Sequence, residues 1–227
     1  MKLLSTANPK IQKGTKLGYL SFILHLAPAT LSGKETCPKR TAGCTAACLN
    51  TAGRGGMFKK GTNTNSVQQA RIRKTKWFFE NRQDFMLSLA DDIRKAIRFA
   101  RKRNLTPVFR LNGTSDLAWE KYTISGYNVF ELFPDVQFYD YTKVLGRKVA
   151  DYPNYHLTFS RAEDNYEDCM KAQKAGMNVA VVYDRIPDNV YSADEDDLRF
   201  LDPFVAIVGL KAKGRAKKDV SGFVVKT

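Results

Sequence analysis

Cys37, Cys44 and Cys48 are the side chains whose type and spacing most directly imply chemistry. They lie in Cys37-Pro-Lys-Arg-Thr-Ala-Gly-Cys44-Thr-Ala-Ala-Cys48, with six residues between the first pair and three between the second. Gly33, Pro38, Gly43, Gly53, Gly55 and Gly56 mark the surrounding stretch as loop. Thiolates crowded into such a loop converge on a soft metal centre. Three cysteines with an open fourth position match a [4Fe-4S] cluster with one iron free to bind a substrate or cofactor. A zinc site usually takes four ligands, so zinc requires Cys169 or a histidine to complete the set. The remaining alternative is three unligated thiols.

Composition narrows the partners. The 227 residues carry 37 Lys and Arg against 23 Asp and Glu, a net charge of +14. That balance favours a polyanion, nucleic acid or a nucleotide rather than a membrane. No apolar run has transmembrane length, and the opening Met1-Lys-Leu-Leu-Ser-Thr-Ala-Asn lacks the apolar stretch of a signal peptide. The expectation is a cytoplasmic protein in a reducing compartment, where clustered cysteines bind metal rather than form disulfides.

Periodicity predicts one α/β domain over 1–227, with a lead-in at 1–16, a cysteine-rich loop at 28–64, a basic helical segment at 65–104 and a basic tail at 211–227. Leu17–Ala27 reads as a buried strand, ended by Pro28. Asn65 is an N-cap for a helix that breaks near Asn81, and a second helix carries Phe85, Leu89, Ile93 and Ile97 on one stripe. Strands follow at Pro107–Asn112, Val136–Thr142, Tyr155–Ser160, Asn178–Asp184 and Phe204–Leu210. Helices are expected around Trp119, after Lys143 and over Ala162–Ala175. Six strands separated by helical segments imply a parallel sheet, here a six-stranded parallel partial (βα)6 barrel.

In parallel α/β folds the site lies beyond the carboxyl ends of the strands. Those ends carry His25; Asn112, Thr114, Ser115 and Asp116; Asp140, Thr142 and Lys143; Ser160 and Arg161; Asp184 and Arg185; and Lys211. Alternation puts Ser21 with His25, Arg110 with Asn112, and His156 with Thr158 and Ser160 on one face. These faces predict an open, wet lumen. The candidate phosphate contacts are Lys59, Lys60, Arg71, Arg73, Lys74, Lys211 and Lys213, with Tyr139, Tyr141 and Tyr183 as possible stacking platforms. The tail after Gly209 reads as a flexible, phosphate-tracking arm. Asp116, Asp140 and Asp184 with a divalent ion form an alternative, nuclease-like set that leaves the cysteines unexplained.

Six parallel strands with a three-cysteine loop directly after the first resemble the radical S-adenosylmethionine enzymes, whose usual spacing of three and then two residues differs from the six and three here. That resemblance implies Cys37, Cys44 and Cys48 as cluster ligands. It also implies S-adenosylmethionine contacts from Asn112, Thr114, Ser115, Asp116, Asp140, Lys143, Ser160 and Arg161. Separately, Arg110-Leu-Asn-Gly-Thr-Ser-Asp, Phe138-Tyr-Asp-Tyr-Thr-Lys, Tyr155-His-Leu-Thr-Phe-Ser-Arg and Gly209-Leu-Lys-Ala-Lys-Gly resemble the phage "gene product 88" family. This second resemblance implies a phage protein working in the host cytoplasm. The expected function is an iron–sulfur enzyme of radical type acting on nucleic acid or a nucleotide; the alternative is a non-catalytic, metal-stabilised nucleic-acid-binding protein.

Overall fold

A computed structural model describes residues 1–6, 13–59, 61–63 and 65–227. Its centre is an open eight-stranded sheet in the order β1-β2-β3-β6-β7-β8-β10-β9. β1 (Leu4–Ser5) runs antiparallel to β2 (Tyr19–Leu24). β3 (Thr106–Arg110), β6 (Gln137–Thr142), β7 (Tyr155–Ser160), β8 (Val179–Tyr183) and β10 (Ile207–Lys211) continue the sheet in parallel, with β9 (Tyr191–Ser192) at the far edge. β4 (Thr123–Ile124) and β5 (Tyr127–Asn128) form a separate hairpin.

The expected six-stranded (βα)6 partial barrel is therefore corrected. The six anticipated parallel strands do form and neighbour one another in chain order, but the sheet gains a strand at each edge and stays open. Regular strand–helix alternation is also absent. The β2–β3 crossover carries α1 (Ala42–Ala46), α2 (Ser66–Glu80) and α3 (Arg82–Arg101), and the β7–β8 crossover carries α5 (Tyr166–Lys174). Around Trp119 there is only a single turn, Trp119–Lys121, and α4 (Val129–Leu132) is one turn long. No helix forms among the residues between β6 and β7. There, Arg147 is held by Glu120 and Asn154 caps three carbonyls, so side chains do the work that helical hydrogen bonds would have done.

Local chemistry explains the helices that do form. The Asn65 side chain accepts from the Gln68 N–H and starts α2. Asn81, at φ −136°, separates α2 from α3. Asp84 in the first turn of α3, and Arg98 and Arg101 in its last, oppose the helix dipole. Phe85, Met86, Leu89, Ala90, Ile93, Ala96 and Ala100 form its buried stripe. That stripe packs on the sheet face carrying Leu20, Phe22, Leu24, Phe109 and Phe138. The Phe22 and Phe109 rings stack at 5.4 Å. Each such buried side chain contributes about 1.5–3 kcal/mol by leaving water.

The opposite face is polar, as its alternation requires, but it is not an open lumen. Residues 194–202 cross it. Asp197 pairs with Arg110 at 3.1 Å, and Phe200 packs its ring edge-on against Tyr19. Tyr139 and Tyr141 lie beneath this cover, so neither presents a ring for base stacking. The tail is likewise not a free arm. Val225 bridges to Tyr183, and Phe223 and Val224 join Ala47, Ala162, Ala212 and Ala216 in a small apolar cluster. The lead-in contributes a strand, β1, because Leu3 and Leu4 bury against the core.

Candidate metal centre

The cysteine loop leaves the carboxyl end of β2 and is tied down at each step. The Ala27 N–H donates to Thr75 Oγ1 at 2.8 Å, and Thr36 Oγ1 donates to the Ala27 carbonyl at 2.7 Å. Thr114, after β3, donates to the Leu26 carbonyl at 2.5 Å, and the Asp116 N–H donates to the Thr36 carbonyl at 2.8 Å. These bonds hold the loop on the carboxyl ends of β2 and β3. Thr41 caps α1 by accepting from the Cys44 N–H. Across the sheet, Glu163 accepts from Thr41 Oγ1 at 2.7 Å and from the Gly43 N–H at 2.6 Å. A Cβ on Gly43 would overlap the Glu163 carboxylate and the Ser221 hydroxyl, so a larger residue must displace these side chains.

The thiols sit half-buried in this frame. Cys37 Sγ accepts from the Ala29 N–H at 3.4 Å, and Cys48 Sγ from the Asn50 N–H at 3.5 Å. Burial pushes the Cys37 thiol up to about 11, and the charge of Cys48 adds to that rise. Burial also raises Cys48, and Cys44 reinforces it, while Arg71 and Lys143 oppose it. Cys48 is thus within electrostatic reach of both Cys37 and Cys44, and of the positive charges of Arg71 and Lys143.

Among the described residues no group of three or more His, Cys, Asp or Glu side chains is arranged to hold a metal ion. A single zinc needs its sulfurs to converge to about 2.3 Å from one point. An iron–sulfur cluster instead spreads its thiolates over different irons. Among the described residues, two of the three sulfurs accept a backbone N–H, and the three are not gathered into a metal-binding group. Cys169 is buried in α5 with its Sγ toward Asn165 Oδ1.

The residues at the strand ends divide into two groups. Asn112 is buried in a closed network: its Oδ1 accepts from Ser115 Oγ, the Leu117 N–H and Trp119 Nε1. Asp140 accepts from the Asn112 N–H at 2.7 Å and from Tyr155 OH at 3.0 Å, and burial raises its carboxyl to about 7. Asp116 accepts from the Lys143 N–H at 2.8 Å, and burial raises its carboxyl too. These contacts hold the loops after β3 and β6 in place. Lys143 and Ser160 are more open: Lys143 Nζ donates to Ser160 Oγ at 3.1 Å and lies over the Phe223 ring. Lys143 also lines a pocket of about 280 Å³ with Lys39, Arg40, Thr41, Asp164, Asn165 and Asp168, directly beside the cysteine loop. Arg161 is engaged with the Gly222 and Phe223 carbonyls of the tail. Asp184 binds Thr227 at the surface and does not join Asp116 and Asp140 in a three-carboxylate group.

The basic candidates divide similarly. Lys59, Arg73, Lys211 and Lys213 are exposed, Lys213 pairing with Asp194 at 3.0 Å. Arg71 turns inward, donating to Asn50 Oδ1 at 2.5 Å, and Lys74 donates to the Leu3 carbonyl. Lys60 lies outside the described residues. Arg54, Arg215, Lys217 and Lys218 are further exposed cations on the same side, since Gly214 packs against Ala52 of the cysteine loop. Sequence reasoning missed Glu163. Its position three residues past Ser160, at a strand's carboxyl end, was the available signal. His25 is half-buried, and its imidazole is held down to about 3 by burial and then by Arg71 and Arg110.

Among known protein families, Gene product 88 matches this chain over residues 2–227. No curated protein and no solved structure matches. No helix among the described residues is long and apolar enough to cross a membrane.

Proposed function

The chain belongs to the phage Gene product 88 family, and we propose that it is an iron–sulfur enzyme acting on nucleic acid or a nucleotide. One observation carries this reading. Three half-buried thiols share a loop at the carboxyl end of the parallel sheet, Cys48 lies within electrostatic reach of both Cys37 and Cys44, and Cys37 and Cys48 each accept a backbone N–H. Cys37, Cys44 and Cys48 would hold the cluster, which supplies one-electron chemistry and an iron without a protein ligand. S-adenosylmethionine is the cofactor that the resemblance implies for that iron.

The chain's own residues supply placement. Glu163 and Thr41 fix the loop, and Arg71 and Lys143 place positive charge beside Cys48. Lys39, Arg40 and Lys143 line the adjoining pocket together with Asp164 and Asp168, a polar lining of mixed charge beside the loop. The exposed Lys59, Arg73 and Lys211 extend a basic surface that favours a polyanion.

The same exposed cations favour a second reading, a metal-stabilised protein that grips nucleic acid without chemistry. Cys44→Ala tests the two together. The enzyme reading expects bound iron and turnover to vanish while polyanion binding persists. A variant that keeps iron and turnover contradicts it. Loss of iron from a protein that never shows turnover favours the second reading.

A further inference from the structure

Residues 194–204 cover the polar sheet face mainly through charge. Asp197 spans Arg110, with Arg110 Nη1 at 3.1 Å from its Oδ2 and 3.4 Å from its Oδ1. Tyr139 OH lies 3.4 Å from the same Oδ2 and 3.1 Å from Ser21 Oγ. The Arg110 guanidinium also sits over the Tyr141 ring at 4.7 Å. Arg199, buried beside them, donates to Asp196 and pairs with Asp202 at 3.3 Å.

This contact is imperfectly satisfied. Arg110 Nε and Arg199 Nε are both buried without a hydrogen-bond partner from the protein. Buried donors are normally paired, so their concentration in one interface marks a contact that is not the best available for either guanidinium. The segment also ends on a strained hinge. Val205 has φ +55°, a left-handed conformation rarely adopted by a β-branched residue, and the preceding Phe204 is 85% exposed. At its other end the segment is latched at the surface, where Lys213 meets Asp194 and Lys13 meets Glu195.

We infer that Arg110, Tyr139 and Ser21 form an anion-binding site, that Asp197 occupies it in this state, and that segment 194–204 opens on the Val205 hinge to admit the carboxylate or phosphate group of a ligand. A guanidinium, a phenol and a hydroxyl on one side of a sheet form the donor set such a group requires. The site adjoins the cysteine loop: Asp197, Arg110 and Arg71 all lie within electrostatic reach of His25, and Arg71 within reach of Cys48.

The test compares wild type, Asp197→Ser and Asp197→Ser/Arg110→Met in thermal unfolding, with inorganic phosphate or acetate titrated at constant ionic strength. Removing the internal carboxylate frees the site, so Asp197→Ser gains anion-dependent stability with an apparent affinity about tenfold or more above wild type. The double variant shows none. A larger response to phosphate than to acetate identifies the ligand group as a phosphate, and the reverse identifies a carboxylate. No response of Asp197→Ser to either anion, or an equal response of the double variant, overturns the inference. Hydrogen exchange on wild type tests the opening without any variant. The Arg199, Leu201 and Asp202 amides exchange far faster than those of β3 and β6; exchange as slow as the core overturns the lid. Iron content is unchanged throughout, so this inference can fail while the cluster reading stands.

Discussion

The Gly43 backbone N–H and the Glu163 carboxylate meet at 2.6 Å, and this contact joins two loops that leave the sheet at β2 and β7. Thr41 adds a second bond to the same carboxylate, so one acid positions both the cap and the first turn of the helix that carries Cys44. Burial opposes the charge on Glu163, but the bonds from Thr41 and Gly43 win and hold its carboxyl below the usual value of 4.5.

Glu163→Gln keeps the shape but weakens two charge-assisted bonds. The expected cost is about 1.5–3 kcal/mol of stability, together with faster iron loss on dilution into chelator. The depressed carboxyl also gives a sign for pH. The stabilisation from Glu163 is present above 4.5 and is lost as pH falls through its folded value. Acid unfolding of wild type and Glu163→Gln therefore converges at low pH, which a melting series checks.

Gly113→Ala probes the close approach of β2 and the loop after β3. A Cβ there would lie 2.6 Å from Ile23 Cγ2 and 2.7 Å from the Leu24 carbonyl oxygen, which cannot swing away. The expected loss is about 1–3 kcal/mol, or a fall of about 2–12 °C in melting temperature. Gly18→Ala is the contrast: nothing lies within 4 Å of its Cβ, but its φ of +82° makes any loss conformational rather than steric.

Asp140 gives the opposite pH sign to Glu163. Burial raises its carboxyl to about 7, against bonds from Asn112 and Tyr155 that favour the ionised form. The folded state therefore holds this proton more tightly than the unfolded chain. Stability from this group is full below 3.8 and falls as pH rises to about 7. Asp140→Asn flattens the decline of melting temperature over that window, and an unchanged slope contradicts the assignment.

The parallel strands were legible because each is a short apolar or alternating run, and Asn65 and Asn81 announced the helix boundaries. The polar sheet face was legible too, but its cover was not. Nothing in the sequence announces that Asp197 is buried, since a charge that is buried by pairing with Arg110 carries no local signature. Missing helices after β3 and β6 were misread for a related reason. Arg147 with Glu120, and Asn154 with three carbonyls, satisfy the backbone through contacts distant in sequence. Arg71 looked like a surface cation because its partner, Asn50, lies in the cysteine loop. The cysteine spacing itself was plain from the start.

Polyanion binding should depend on the exposed cations near the cysteine loop rather than on the basic end of α3. Reversing Lys59, Arg73 and Lys211 together is expected to reduce the salt slope of duplex binding by about 2–3. Reversing Arg98, Arg101 and Arg103, at the opposite end of the sheet, leaves the slope nearly unchanged. The reverse pattern relocates the interface to the helix.

Metal analysis of the anaerobically purified wild-type protein, with iron, zinc and acid-labile sulfide quantified and a visible absorption spectrum recorded, tests the central claim most directly. The account predicts a brown protein with about four irons and four sulfides per chain, both absent from the Cys37/Cys44/Cys48 triple-alanine variant and retained in Cys169→Ala. A colourless protein carrying one zinc, or no metal after reconstitution with iron and sulfide, contradicts it.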